Sequence, residues 1–331
     1  MDKKNSKFGL KLSSVIGLFL AIALIIGYIN RQYIIDQAIV WAFKPTAGVV
    51  NLADRSGMND GGKFLYLASQ PQIQESQDFN LSCSRIEAVT SILGCYSNGQ
   101  IYVYNVTDPQ LDGVREVTAA HETLHAAYIR LSSADKSVLD NLLEAEYKKL
   151  ISDVSFQQKM AFYDRTEPGQ RNNELHSVIG TEVAVVSPEL ETYYDRYFSN
   201  RQAVVALNAK YITVFKSLES RANELKTQLD TISADISTRS AQYNADVVAM
   251  NSAIADFNYR ADNSMFDSQY QFNQQRSSLV NRVNVLNNDK NEIDNQVVTY
   301  NALVIEYNSL ATQSQKLYNS MDSTLAPAPS I

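Results

Sequence analysis

Histidine, cysteine and the residues that break helices are scarce in this chain of 331 residues. It contains only three histidines and two cysteines. All twelve glycines lie at or before Gly180, and no proline occurs between Pro188 and Pro327. The intervening 138 residues therefore lack both helix breakers. This absence excludes a turn-rich fold in that region and predicts long helices.

Positive charge is also sparse. The formal net charge is −7, and the only cluster of lysine or arginine lies within the first eleven residues. Proteins that bind a phosphate backbone usually carry a basic stripe. We therefore expect no nucleic-acid partner. Hydrophobic residues make up 45% of the chain, so most of it should fold around a core.

The N-terminus has the pattern of a membrane anchor. Residues 1–11 carry Lys3, Lys4, Lys7 and Lys11, and residues 12–29 carry no charge. Eighteen helical residues span roughly 27 Å, close to the thickness of a bilayer core. The pattern predicts a cytoplasmic basic N-terminus, a single transmembrane signal-anchor at 12–29 and a main body outside the cytoplasm.

A cleaved signal peptide is the alternative, but its apolar stretch would be shorter and followed by a small-x-small cleavage site. No such site follows residue 29. Residues 30–44, with Trp41, form a juxtamembrane segment that we expect at the membrane surface. Cys83 and Cys95 are an even pair in a chain expected outside the cytoplasm. They predict a disulfide, with two buried free thiols as the alternative.

The C-terminal region shows a heptad rhythm. Hydrophobic residues follow spacings of three and four from Tyr211 to Phe257 and again from Leu279 to Tyr307. A polar stretch separates the two runs. The pattern predicts an antiparallel coiled-coil hairpin at 199–322, where a protein partner could bind, and a flexible tail at 323–331. Two helices of a compact bundle are the alternative.

The sequence pattern of residues 45–198 predicts a mixed α+β domain. Residues 63–69 and 101–107 are rich in aromatic and β-branched side chains, which is typical of strands. Residues 108–131 show apolar side chains on one helical face. A further helix is predicted after Ser132, which forms a capping box with Asp135.

The predicted helix at 108–131 carries His121-Glu122-Thr123-Leu124-His125, a match to the H-E-x-x-H motif. Positions four apart differ by about 40° around a helix, so both imidazoles can reach one ion. Zinc suits imidazole, and a catalytic zinc takes three protein ligands. Glu122 lies about 100° from His121. It is thus placed to act as a general base rather than as a ligand.

At this motif the chain resembles the zincin metallopeptidases. The resemblance implies a zincin-like fold for residues 45–198, a bound Zn²⁺ and an edge strand along the cleft. We take residues 101–107 as that strand, to which an extended substrate would add by β-augmentation. The chain is not similar to the metzincin branch, because Tyr128 and Leu131 stand where that branch has glycine and histidine.

The resemblance is therefore to gluzincins, which take a third ligand from a later helix. Residues 171–186 hold the candidates Glu174, His176 and Glu182. We choose Glu182 as the third ligand. His176 is the other histidine of the chain, and we expect it to hydrogen-bond the oxyanion of the reaction, although it is also a candidate ligand.

The sequence thus predicts a membrane-anchored, extracytoplasmic zinc peptidase with metal ligands His121, His125 and Glu182 and catalytic residues Glu122 and His176. Its substrate would be a peptide or protein, or an amide of the cell wall. The rival hypothesis is a non-catalytic cell-surface protein that works through its coiled coil and holds a structural or vestigial zinc. Glu122 argues against the rival, because a structural site needs no base.

Overall fold

The fold is mainly helical. The computed structural model describes residues 5–83 and 92–324, and side chains from Ile16 onward. Helices contain 78% of the described residues, and the only sheet among them has three strands. The predicted α+β class is therefore wrong. The chain divides into two compact units, Met1–Val214 with Leu317–Ile331, and Phe215–Lys316.

The helices of the described residues follow one another with short connections. They are α1 Asn5–Ile29, α2 Arg31–Ala42, α3 Ala47–Arg55, α4 Asp60–Ala68, α5 Ser76–Ser82, α6 Val114–Arg130, α7 Ser133–Leu150, α8 Val154–Thr166, α9 Arg171–Glu182, α10 Pro188–Tyr194, α11 Arg201–Asp262 and α12 Gln269–Met321.

The sheet is small and its order is β1-β3-β2, with β1 Gln72–Gln74, β2 Gly94–Ser97 and β3 Gln100–Tyr104. Strand β1 runs parallel to β3, and β2 runs antiparallel to it. Asn98 and Gly99 join β2 to β3, and both have positive φ, as a tight type I′ hairpin turn requires. The predicted edge strand at 101–107 is thus the central strand, and β1 and β2 are the two edges of the described sheet.

The predicted strand at 63–69 is helical and forms most of α4. Asn59 caps this helix by accepting a hydrogen bond from the backbone N–H of Gly62 at 3.0 Å. The buried positions Gly62 and Tyr66 are four residues apart, which matches one face of a helix. The cap and this spacing outweigh the strand propensity of the aromatic residues.

Helix α6 lies at the centre of the first unit. It packs against α9, α3, α4 and both long strands of the sheet. Gly180 allows the close approach of α9, because a Cβ atom there would lie 2.4 Å from the Leu124 Cδ1 atom. The predicted helices around the motif are confirmed, including the start of α7, where Ser132 accepts a hydrogen bond from the Asp135 backbone.

In the second unit, α11 and α12 contact each other in antiparallel register. Ion pairs connect the two helices, for example Arg221 with Glu306 and Arg239 with Glu292, and Phe257 contacts Phe272 near the turn. Of the seam residues predicted between Leu218 and Phe257, only Leu225 and Met250 are buried. The structure therefore shows a pair of long helices without the close apolar seam that defines a coiled coil.

The transmembrane helix predicted at 12–29 is not evident as a single span. Among the described residues, no one helix is long and apolar enough to cross a membrane. Ile16–Ile29 and Arg31–Ala42 meet that requirement only as a pair, and the pair is bent by 71°. The bend follows Asn30, whose side chain donates a hydrogen bond to the Ile26 carbonyl at 2.8 Å.

The predicted disulfide is confirmed. Cys83 is bonded to Cys95, with 5.9 Å between the Cα atoms. The bond ties the end of α5 to strand β2.

Candidate metal centre

The crossing of α6 and α9 brings three ligand-type side chains together. His121 and His125 lie one turn apart on α6, and Glu174 lies on α9. One ligand atom from each lies within 4.8 Å of the others. The two Nε2 atoms are 3.0 Å apart, and His125 Nε2 is 3.3 Å from a Glu174 oxygen. Two nitrogens and one oxygen at this separation suit a divalent cation such as zinc.

Side chains of α9 fix the orientation of His125. Its Nδ1 atom lies 3.0 Å from Asn173 Oδ1 and 3.1 Å from Ser177 Oγ. The Ser177 hydroxyl donates to the Asn173 carbonyl, so its oxygen is free to accept. We therefore assign the proton to Nδ1. The lone pair of Nε2 then faces His121 and Glu174, which is the arrangement that a metal-ligating histidine needs.

The histidines are held in the neutral form. Burial lowers the pKa of His121 and of His125 to about 4. Neutral imidazole is the form that binds a metal, so both side chains are prepared as ligands at neutral pH.

Glu174 is buried, and its carboxylate lies beside the Glu167 carboxyl and the two imidazoles rather than beside a basic side chain. Burial raises the pKa of this carboxyl, and the neighbouring His125 acts in the opposite direction. A buried carboxylate without partners is costly, and such groups are usually paired or coordinate a metal. The Glu174 carboxylate and the two imidazoles together fit a metal site.

Glu122 faces the same cavity as the three ligand-type residues. The cavity has a volume of about 540 Å³ and is lined by residues of β2, α6, α8 and α9. Burial raises the pKa of Glu122 well above its usual value, and Glu174 raises it further. The backbone amide of Tyr96 acts in the opposite direction. Glu122 is thus a buried carboxyl next to the cluster, as the motif predicts for a base.

Glu182, our predicted third ligand, is not in the cluster. Its carboxylate pairs with the Lys159 ammonium at the wall of the cavity. Glu182 follows Glu174 by two turns of α9, which is about 12 Å along the helix axis. It shares the face of Glu174, and its charge acts on the pKa of His121, but it is not among the three residues whose ligand-type atoms lie together. The donor that the structure supplies is Glu174.

His176, our predicted oxyanion donor, belongs to the core. It is fully buried and its Nδ1 atom lies 3.1 Å from the Leu124 carbonyl. Its ring packs against Tyr193 and Tyr194. Burial lowers its pKa to about 3. His176 is two residues from Glu174 on a regular helix, so it faces about 200° away and cannot reach the cavity.

Four residues of α8, Lys159, Phe162, Tyr163 and Thr166, line the cavity and were missed from the sequence. Tyr163 stacks on His121 with ring centroids 6.4 Å apart, and Lys159 lies one turn before it. Thr166 follows Tyr163 by three residues and also faces the cavity. Spacings of three and four were the available signal, but nothing local showed that this face of α8 meets α6.

The chain matches no protein-family model, no curated protein and no solved structure. The resemblance to zincins therefore depends on the motif and on the cluster of His121, His125 and Glu174.

Proposed function

We propose that this protein is a zinc-dependent peptidase whose metal is held by His121, His125 and Glu174. The observation that supports the proposal is the union of three ligand-type atoms with Glu122 in one cavity. Structural zinc sites are usually closed by four protein ligands, whereas catalytic sites have three and leave one position open. A cluster of three ligand-type residues beside a cavity therefore favours catalysis over the structural rival.

In the proposed hydrolysis, the metal and Glu122 have different roles. A bound zinc ion would polarise the scissile carbonyl and lower the pKa of water. Glu122 accepts a proton from the attacking water and later delivers it to the leaving amine. Glu122 follows His121 directly and lines the same cavity, so its carboxylate is placed to take the proton of that water.

The edge strand β2 is the proposed binding site for the substrate backbone. Gly94, Cys95 and Tyr96 of this strand line the cavity. One side of β2 pairs with β3, and the order of the sheet leaves β2 at an edge. An extended peptide would add to that edge by β-augmentation. An amide of the cell wall remains an alternative substrate.

We also propose that the enzyme works outside the cytoplasm. The disulfide supports this location, because such bonds persist in oxidising compartments. The four lysines near the N-terminus support it as well, because positive charge is retained on the cytoplasmic side.

The test combines metal analysis with hydrolysis of a peptide library by the purified full chain. We expect about one zinc per chain and cleavage that a chelator abolishes and added zinc restores. A protein that binds one zinc but cuts no peptide and no cell-wall amide would support the structural rival instead. A protein that binds no metal would contradict both the zinc site and the peptidase.

A further inference from the structure

A buried carboxylate in the N-terminal helix α2 is the starting observation. Asp36 is only 2% exposed, although the five residues of α2 that precede it are exposed. Its two carboxylate oxygens accept hydrogen bonds from Nε and Nη2 of Arg130, both at 2.9 Å. Two-point pairing of arginine with a carboxylate is strong and directional. The pair joins α2 to the last residue of α6, the helix that carries the motif.

Arg130 extends this connection to the edge strand. Its Nη1 atom donates to the Tyr96 hydroxyl at 3.1 Å and to the Ala126 carbonyl at 3.0 Å. Tyr96 belongs to β2. One guanidinium therefore joins α2, the C-terminal end of α6 and the strand that borders the cavity.

At the same place, β2 lies directly against Glu122. A Cβ atom on Gly94 would come within 2.9 Å of a Glu122 carboxylate oxygen. The backbone amide of Tyr96 interacts with the same carboxylate. The position of β2 thus determines part of the surroundings of Glu122, and the bond from Arg130 to Tyr96 adds to the pairing with β3 and to the disulfide in holding this strand.

We propose that Asp36 is a positioning residue for the active site, which holds β2 against Glu122 through Arg130 and Tyr96. Helix α2 is then a working part of the site as well as a link to the N-terminal segment. Any displacement of α2 would alter the contact between β2 and Glu122. The catalytic consequence depends on the proposed peptidase function, but the positioning of β2 does not.

The test uses two variants of the full chain and one matched control. Asp36→Asn removes the charge that orients Arg130, and Tyr96→Phe removes the hydroxyl that accepts from Arg130 but keeps the backbone amide. The control is Glu116→Gln. Glu116 is also 2% exposed, lies on α6 and pairs with Arg55 of α3, but it does not contact β2.

Two measurements are made on each variant. Hydrogen exchange is followed in the peptide that contains residues 94–97, and steady-state hydrolysis is compared at equal zinc content. We expect faster exchange of β2 in Asp36→Asn and Tyr96→Phe. We also expect kcat and kcat/KM to fall together by about 10- to 100-fold, because small misplacements of catalytic groups have effects of this size. Glu116→Gln should lower the unfolding temperature and leave both quantities unchanged.

Each outcome is decisive. Unchanged exchange of β2 in both variants would overturn the positioning role, whatever the activity. Faster exchange with wild-type kcat would show that β2 moves without affecting Glu122, and the proposal would again be wrong. If the wild type cuts no substrate, the peptidase function fails, and hydrogen exchange alone then decides whether Asp36 positions β2. Loss of zinc in Tyr96→Phe would indicate a general structural role and would also contradict the proposal.

Discussion

At the scale of single residues, Glu174 and Glu182 are the two candidates for the third metal ligand. Both lie on α9 and line the cavity, but only Glu174 lies within 4.8 Å of the imidazole nitrogens. We expect Glu174→Ala to lose bound zinc and activity together, because a site with two ligands holds zinc weakly. Glu182→Ala is the matched control and should keep about one zinc per chain. Elemental analysis of the two purified variants decides the point, and the reverse result would restore Glu182 as the ligand.

Substitution of Glu122 should have a different effect from substitution of a metal ligand. Glu122→Gln keeps the shape and polarity of the side chain but removes the base. We expect zinc content to stay near that of the wild type while hydrolysis falls by at least about 10²–10⁴-fold. His125→Ala provides the contrast, because it should lose the metal as well. Full hydrolysis by Glu122→Gln at normal zinc content would exclude a role for Glu122 as the base.

The sequence predicted the site residues of α6 but chose a residue of α9 other than the one that lies beside them. His121, Glu122 and His125 lie within one and a half turns of a helix, so helical periodicity alone places them. Glu174 depends on where α9 crosses α6, and that crossing is set by packing contacts such as the fit of Gly180 against Leu124. The same packing buries His176 in the core. Its rarity in the composition suggested a catalytic role that its environment does not support.

At the scale of elements, strand β2 is the part on which substrate binding and the base both depend. A Cβ atom on Gly94 would lie 2.4 Å from Thr118 Cγ2 and 2.9 Å from a Glu122 oxygen. We expect Gly94→Ala to push β2 away from α6 and to lower kcat/KM strongly while zinc is retained. Steady-state kinetics with zinc analysis measures both effects.

Gly48→Ala is the control for this substitution. Its added Cβ would meet the terminal methyl of Ile73 at 3.2 Å, which can move aside, and Thr46 Oγ1 at 3.8 Å, which is an ordinary contact. This variant should therefore keep wild-type kinetics. Equal activity of the two alanine variants would show that the close contact between β2 and Glu122 does not matter for catalysis.

Sequence patterns predicted the helices that carry strong local signals. They did not predict the short elements correctly. Helix α7 has a capping serine, and α6 has a continuous apolar face, so both were predicted. Strand β2 is only four residues long and carries no clear alternation of apolar and polar side chains. Helix α4 has strand-like composition, and its helical state depends on the Asn59 cap and on burial of Tyr66. Short elements are decided by their neighbours more than by their own sequence.

At the scale of the whole molecule, the heptad rhythm predicted the long helices but not how they pack. Apolar spacing shows which face of each helix is less polar. It does not show how closely two such faces approach, and contacts such as Arg239 with Glu292 connect the pair through charged side chains. Surface ion pairs of this kind each contribute little to the stability of the pair.

The disulfide links the end of α5 to strand β2, which borders the site. Because Cys95 lies in β2, the bond to Cys83 restrains the edge strand. In the chain-entropy model, closing a loop of this length stabilises the fold by roughly 3 kcal/mol. We expect reduction, or replacement of both cysteines by alanine, to lower the free energy of unfolding by about that amount. Denaturant unfolding with and without reductant measures the change, and identical midpoints would contradict it.

The last prediction concerns the side of the membrane on which the main body of the chain lies. It rests on the charge pattern of the N-terminus and not on the shape of the N-terminal helices. Lys3, Lys4, Lys7 and Lys11 precede the apolar residues 12–29. Basic residues beside an apolar segment are retained in the cytoplasm, so the main body should be exported. A reporter that is active only outside the cytoplasm, fused to the C-terminal end, should therefore be active. Replacing the four lysines by glutamine should reduce that activity, whereas replacing Lys63, Lys148, Lys149 and Lys210 should not. Activity of a cytoplasm-specific reporter instead would contradict the orientation and would leave the disulfide without the oxidising compartment in which such bonds persist.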